Sequence, residues 1–258
     1  MIATAVSRAR DFVAAAPLPM VHPASRGAAD ATPQPALTGG KPQATVVGSE
    51  VLSFAPGVDS PWRQDLVNGS LLAQLVAKKK VPDPNRIFDW YDAYFDTLGR
   101  IGWAVQDKSF AVYVESSQNF QAHEAILKVA AGLLGPNAAG LALLSTTLDA
   151  LKSMDASSPW ITVFNRESQS ASAAKFQLSV ADQAPNGDLK VQLMAFGLEA
   201  RTQLTQVLFF KGLASQATLR HCSASVGIDT SVVEGVRDAL KAKLVGQANE
   251  FVKTLPDF

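Results

Sequence analysis

The sequence has few of the residues on which metal centres and most enzymes depend. Its 258 residues include one cysteine, Cys222, and three histidines. A single cysteine excludes an intramolecular disulfide and a cysteine-rich zinc site, and we expect no metal. The phosphate-binding loop, the dinucleotide-binding glycine pattern and the nucleophile elbow are also absent from the sequence. The sequence therefore contains no complete catalytic motif and favours a role other than catalysis.

Charge is scarce and evenly balanced. Charged residues make up 18% of the chain, below the roughly 25% of an ordinary globular protein, and 23 basic residues face 23 acidic ones. This balance argues against a nucleic-acid partner, which needs a basic surface. No stretch reaches the roughly 18 uninterrupted apolar residues of a spanning helix. The start of the chain also lacks the apolar segment of a secretory signal peptide. We expect synthesis in the cytosol and, if the protein is exported, a route without a signal peptide.

The composition divides the chain into a tail and one domain. Residues 1–42 are rich in alanine and contain six prolines. Such a segment buries too little apolar surface to offset the entropy lost on ordering, so we predict a mostly disordered tail with a short helix near residues 3–15. Residues 43–258 are predicted to form a single domain.

Periodicity within that domain predicts an α+β fold. Helices are expected over 60–80, 84–101, two segments within 121–155, and 231–254. Strands are expected over 43–55, one or two segments of 103–115, 160–168, 174–183, 188–198, 204–212 and 216–226. Because the later strands follow one another through short connections, we expect an antiparallel sheet. The predicted architecture is this sheet packed with about five helices around a central apolar pocket.

The helical segment from Ile126 to Leu144 is unusually apolar. Lys128 is its only charged residue, and Gly135-Pro136 interrupts it. One interpretation is a buried central hairpin of two helices. The other is a hairpin that contacts or enters lipid.

Cys222 has three possible roles, which are a buried core residue, an attachment point and a nucleophile. Its neighbour His221 points to the opposite face of a strand, so a catalytic base would have to be His123. Acylation would need a long apolar cavity, because each buried methylene contributes roughly 0.8 kcal/mol. The candidates for lining such a cavity are Leu133, Leu143, Phe196, Phe209 and Phe210.

The order of these features resembles a known family. The segment from Phe88 to Leu98 precedes Gly102-Trp103, apolar helices rich in glycine and alanine, and antiparallel strands carrying a lone cysteine before a closing helix. Over about residues 43–255 this order resembles the Evf family of bacterial virulence factors. The resemblance implies synthesis in the bacterial cytoplasm and a palmitoyl group linked as a thioester and held in a central pocket. Only Cys222 can carry that group here.

Three hypotheses follow. The first is a virulence or host-interaction protein that is S-acylated on Cys222, with a fatty acyl chain as its covalent ligand and a membrane or host factor as partner. The second is an enzyme, an acyltransferase or thioesterase that uses Cys222 with His123 as base. The third is a membrane-active protein in which residues 126–144 insert or, alternatively, a binding module for small apolar ligands with an inert cysteine.

Overall fold

A computed structural model describes residues 2–20, 36–115, 118–135, 137–170, 172–201, 204 and 206–256. The helices in these ranges are α1 (Ile2–Ala15), α2 (Ser60–Lys80), α3 (Ile87–Arg100), α4 (Ala122–Leu134), α5 (Ala138–Ser153), α6 (Pro159–Ser168), α7 (Thr230–Leu244) and α8 (Ala248–Phe251). The strands are β1 (Gln43–Val47), β2 (Glu50–Phe54), β3 (Trp103–Val105), β4 (Ala111–Val112), β5 (Asn119–Gln121), β6 (Ala173–Gln183), β7 (Leu189–Ala200), β8 (Lys211–Leu213), β9 (Ala217–Ile228) and β10 (Val252–Thr254).

The centre of the molecule is a mixed sheet of eight strands. Seven of them run in the order β10-β1-β2-β6-β7-β9-β3, and β4 also pairs with β9. All neighbours are antiparallel except β2 and β6, which are parallel. Five helices separate β2 from β6 in the chain, and such a long connection permits the parallel pairing that a short turn does not. The fold is α+β, as the sequence predicts, although the sheet is mixed.

Helices cover both faces of this sheet and create two separate apolar clusters. We call the layer of α1, α2, α3 and α7 the first layer, and the layer of α4, α5 and α6 the second layer. Side chains alternate between the faces along each strand, so Ala195 joins the cluster under the first layer while Phe196 joins the one under the second. The sequence predicts one central apolar pocket. In the structure the sheet instead divides the apolar interior into these two clusters.

Helix α2 lies enclosed within the first layer. It begins with Pro61 in its first turn and ends in Lys78, Lys79 and Lys80, where cations suit the helix dipole. Every residue over 65–77 is buried, including polar ones. These polar groups are paired: Asp65 accepts three hydrogen bonds from Arg237, and Gln74 donates to the carbonyl of Val47. The pairing removes the cost of burying them.

The apolar periodicity of several elements is confirmed. In α3 the predicted stripe is buried at each of its positions, Ile87, Tyr91, Tyr94, Phe95, Leu98 and Ile101. The break at Gly135, which has a φ of 53°, separates α4 from α5. A turn at Asn186-Gly187 joins β6 to β7, with Gly187 at a φ of 89°.

Two expected strands have a different structure. Residues 43–55 form the hairpin of β1 and β2, because Gly48 adopts a φ of 55° and reverses the chain. Residues 160–168 belong to helix α6. Pro159 lies in the first turn of this helix, directly after Ser158 at the N-cap position.

Two further expectations need correction. Residues 204–212 do not form one strand in the described part of the segment; Val207–Phe209 is a 3₁₀ helix and β8 follows, paired with β5. The closing helix expected over 231–254 ends at Leu244, and the chain continues through α8 into β10, which pairs with β1. The cap of α7 is Asp229, whose side chain accepts a hydrogen bond from the Val232 amide.

The short helix expected near residues 3–15 is α1. It packs on α7, with Ala9 and Val13 buried. Arg10 donates to the carbonyl of Gly235 and Lys243 donates to that of Ala14. Residues 21–35 of the expected tail lie outside the described residues.

Candidate functional site

Cys222 lies on β9 opposite Ala195 of β7 and faces the first layer. Its side chain is 3% exposed, and its thiol is 3.5 Å from the carbonyl oxygen of Asp107, to which it can donate. Burial, reinforced by the nearby Asp107 charge, raises the pKa of the thiol to about 11. A thiol that stays protonated at neutral pH is a weak nucleophile.

The connection between β3 and β4 passes over this thiol. Phe110 in that connection packs its ring 4.9 Å from the Tyr91 ring and 5.1 Å from the Phe88 ring. The segment from Gln106 to Phe110 contains neither helix nor strand. The cover of Cys222 is therefore a loop anchored by one aromatic side chain rather than an element of the sheet.

The described histidines do not lie beside this thiol. His221 projects to the second-layer face, where its ring centroid is 6.5 Å from that of Phe196. His123 is on α4 in the second layer, with Nε2 3.9 Å from Asp149. Burial lowers the pKa of both imidazoles. The geometry therefore supplies Cys222 with no general base among the histidines that the structure describes.

The five candidates for lining an apolar pocket also lie on the face opposite Cys222. Phe196 and Phe210 are buried in the second-layer cluster, and Leu133, Leu143 and Phe209 pack against it partly buried. Phe196 stacks on Phe176 with ring centroids 4.9 Å apart. The structure brings these five residues into one cluster but does not bring them to Cys222.

Helices α4 and α5 form the apolar hairpin of the second layer, which we call the α4–α5 hairpin. No charged residue lies between Lys128 and Asp149. The exposed residues that the structure describes at the end of the hairpin are small and uncharged: Ala131, Gly132, Gly135, Ala138, Ala139 and Ala142. Beside it, Leu143 and Val180 line a groove of about 510 Å³. No helix in the described ranges has both the length and the apolar content needed to cross a membrane.

A buried carboxyl, which the sequence analysis missed, lies on the other face of the sheet. Glu50 at the start of β2 is fully buried. It accepts hydrogen bonds from the hydroxyls of Ser70, Ser179 and Tyr94. No cation pairs with it among the described residues. Burial raises its pKa, an effect that the three hydroxyls oppose.

Amide and phenol groups continue this polar cluster. Gln177 donates to the Tyr91 hydroxyl at 3.0 Å, and that hydroxyl lies within hydrogen-bonding distance of the carbonyls of Phe176 and Phe196. Gln74 and Ser49 complete it near the turn between β1 and β2. One feature of the sequence hints at this burial, because Glu50 begins a strand whose next residues are apolar. A charged residue at the end of a strand is usually exposed, however, so this feature does not predict a buried carboxyl.

Comparisons with known proteins give only distant structural likenesses. No protein family and no curated protein matches the sequence. A solved structure titled delta-endotoxin aligns with a TM-score of 0.39 and 15% identity over 73% of this chain and 86% of that one. Activated Cyt2Ba monomer from Bacillus thuringiensis subsp. israelensis aligns with a TM-score of 0.33 and 14% identity over 54% and 81%. The Evf virulence factor aligns with a TM-score of 0.26 and 10% identity over 87% and 85%. Likeness at this level identifies neither a family nor a function.

Proposed function

We propose that this chain acts on membranes through the α4–α5 hairpin. The observation that carries the proposal is the uncharged run from Val129 to Leu148, which is folded as two helices whose common end is exposed. Exposed uncharged side chains at a helical tip enter a lipid interface with little desolvation cost. The toxin and virulence roles named for the similar structures are those proteins' own and do not support this proposal.

The length of the helices favours insertion into the interface rather than a span. At 1.5 Å per residue, the 13 residues of α4 extend about 20 Å and the 16 residues of α5 about 24 Å. The hydrocarbon core is about 30 Å thick. The α4–α5 hairpin would therefore lie within one leaflet, with Lys128 and Asp149 remaining at the headgroup level.

Helix α5 of the second layer has few side-chain hydrogen bonds to the sheet. Among the described residues, the hydroxyl pair of Ser53 and Thr147, 3.1 Å apart, is the one side-chain hydrogen bond that joins α5 to the sheet. Helix α2 of the first layer is held instead through Arg63, which donates to the carbonyls of Val58, Lys41 and Ala55 and to the side chain of Gln43. Apolar contacts hold α5, and lipid can replace apolar contacts.

Vesicle leakage tests this proposal with a charge-neutral pair of substitutions. Ala131→Lys near the end of α4 and Ala139→Glu at the start of α5 place charges at exposed positions where each suits its helix dipole. We expect the double variant to fold and to lose leakage activity. The matched control is Ser231→Glu with Ala242→Lys on α7, which should leak like the unmodified protein. Equal leakage by all three proteins would overturn the proposal, as would no leakage by the unmodified chain.

A second candidate function is S-acylation of Cys222, favoured by the burial of the only thiol under a loop. An acyl chain attached there would extend into the first-layer cluster and would displace Phe110 from Tyr91. Burial would protect the thioester from hydrolysis. Intact-mass measurement on protein from its native host should show a fatty acyl increment that neutral hydroxylamine removes and that Cys222→Ser lacks. An unmodified mass would contradict this candidate.

The enzymatic alternative uses the same residue. An acyltransferase or thioesterase acting through Cys222 would need this protonated thiol to be activated after a rearrangement that supplies a base. Turnover of acyl thioesters should then disappear in Cys222→Ala. Turnover that persists in this variant would exclude the mechanism.

A further inference from the structure

A small cavity with several cations lies where α2, α3 and α6 approach one another. It has a volume of about 130 Å³, well above the minimum that one water needs. Lys78, Arg166 and Lys175 supply positive charge to its lining, and Glu167 supplies the carboxylate. We call it the Lys175 cavity. It is separate from the groove beside the α4–α5 hairpin, which lies at the opposite end of β2.

Two of these cations already have a counter-ion. Glu167 lies 2.7 Å from the Lys78 ammonium and 2.8 Å from Nε of Arg166. Both cations are also stacked over the Phe251 ring, at 5.4 and 5.3 Å from its centroid. Arg166 additionally approaches Glu250 at 3.8 Å. The side chain of Glu167 is only 8% exposed, so one carboxylate holds two cations at the cavity wall.

Lys175 has no such partner. Its ammonium lies 5.3 Å from the centroid of the Trp90 ring, and Trp90 is buried. Among the described residues, no carboxylate lies within 4 Å of it and no acceptor takes a hydrogen bond from it. Burial lowers its pKa, an effect that the Glu167 charge opposes and the Lys78 charge reinforces. Gln169 beside it has a buried amide oxygen with no hydrogen-bond partner in the described residues.

We propose that the Lys175 cavity binds a phosphate group. Lys175 would pair with the anion, and Lys78 and Arg166 would turn their remaining N–H donors toward its oxygens. A protonated phosphate oxygen would donate a hydrogen bond to the Gln169 amide oxygen. Alternatively, a 180° rotation of the Gln169 amide group would let its NH₂ donate to the phosphate. A phosphate suits the site better than a carboxylate, because three cations converge on it and a tetrahedral anion presents oxygens in several directions.

Glu167 has a defined role in this proposal. While it neutralises Lys78 and Arg166, it also repels an incoming anion. Glu167→Gln keeps the size of the side chain but removes this charge. The proposal therefore requires that phosphate binds more tightly to Glu167→Gln than to the unmodified chain, an effect that a purely structural role of Glu167 would not produce.

Titration calorimetry of the full chain with inorganic phosphate at neutral pH tests the proposal. We expect saturable binding with one site, weakened about tenfold or more in Lys175→Met, which loses a charge-assisted hydrogen bond. Lys190→Gln, an exposed lysine on the neighbouring strand β7, is the matched control and should bind as before. Thermal melting should show that Lys175→Met is folded, because it removes a buried charge that has no counter-ion. Lys175→Gln is the second variant if that one does not fold.

Two further ligands distinguish a soluble source of the phosphate group from a lipid source. Glycerol 3-phosphate represents a soluble phosphomonoester, and vesicles of phosphatidic acid in phosphatidylcholine represent a lipid headgroup. Binding of either that depends on Lys175 supports the proposal and identifies the source. Absence of phosphate binding at millimolar concentrations would overturn it. Equal affinity in the unmodified chain and Lys175→Met, or weaker binding by Glu167→Gln, would overturn it as well.

Discussion

The thiol of Cys222 and the ring of Phe196 lie on opposite faces of the central sheet, although Cys222 pairs with Ala195, the residue next to Phe196. Strand alternation produces this separation. An acyl chain attached to Cys222 therefore could not enter the second-layer cluster without passing through the sheet. Any lipid on this thiol has to occupy the first-layer side, under the Gln106–Phe110 loop.

The first prediction concerns the reactivity of this thiol. In the native protein, alkylation of Cys222 by iodoacetamide should be slow at neutral pH and should speed up until about pH 11, where burial places the pKa of the thiol. In urea the same thiol should react with an ordinary pKa of about 8.5. Alkylation rates measured across pH in both states check this. Equal rates in the native and unfolded states at neutral pH would contradict it.

The position of Cys222 illustrates what the sequence can predict. Alternation in β9 correctly places His221 and Cys222 on opposite faces. The same alternation in β7 places Phe196 and Ala195 on opposite faces. Whether Phe196 shares a face of the sheet with Cys222 depends on the register between β7 and β9, which alternation within one strand does not give. The pairing of Cys222 with Ala195 is set by the tertiary structure and is not encoded in the local sequence of either strand. The sequence therefore identified both residues as candidates and could not place them relative to each other.

The second prediction concerns Glu50. Its folded-state pKa is raised, so its contribution to stability is fully present below its unfolded pKa of about 4.5 and is lost as pH rises through the folded value. Glu50→Gln keeps hydrogen-bonding capacity without charge. We expect the free energies of unfolding of the two proteins to differ least near pH 4. Toward about pH 8 the variant should become more stable relative to the unmodified chain. Urea unfolding at several pH values measures this difference, and a difference independent of pH would refute it.

Glu50 also shows why part of the site escaped prediction. Its environment comes from Ser70 on α2, Tyr94 on α3 and Ser179 on β6, three elements distant in sequence. The periodicity of each segment predicts α2, α3 and β6 separately. No local pattern reveals that their polar residues converge on one carboxyl. Local periodicity predicts elements, whereas buried polar clusters arise from how the elements pack.

The third prediction concerns the ion pair of Asp65 and Arg237, which joins α2 to α7. The Asp65 side chain is 1% exposed and Arg237 holds it with its Nε and Nη2 groups. Arg237→Met leaves a buried carboxylate without a partner and should cost about 3 kcal/mol or more of unfolding free energy. Adding Asp65→Asn should recover part of that loss, because it removes the unpaired charge. Additive losses in the double variant would show that the two residues do not interact.

The fourth prediction tests whether the α4–α5 hairpin must move away from the sheet for membrane activity. The hydroxyls of Ser53 and Thr147 are in contact at 3.1 Å, so cysteines at these two positions would place their sulfur atoms next to each other. In a Cys222→Ser background, Ser53→Cys with Thr147→Cys should give an oxidised protein that no longer causes vesicle leakage and regains it on reduction. The hydroxyls of Thr45 and Thr254, 3.4 Å apart, join β1 to β10 and provide a matched control.

Oxidised Thr45→Cys with Thr254→Cys should leak like its reduced form, because that disulfide leaves α5 free to move. If both disulfides abolish leakage, the whole sheet rather than the α4–α5 hairpin must rearrange. If neither does, the hairpin acts without leaving the sheet, and its exposed tip alone contacts lipid. A loss of leakage confined to the Ser53–Thr147 disulfide agrees with an α5 helix that is held to the sheet chiefly by apolar contacts, which lipid replaces when the hairpin moves away from the sheet.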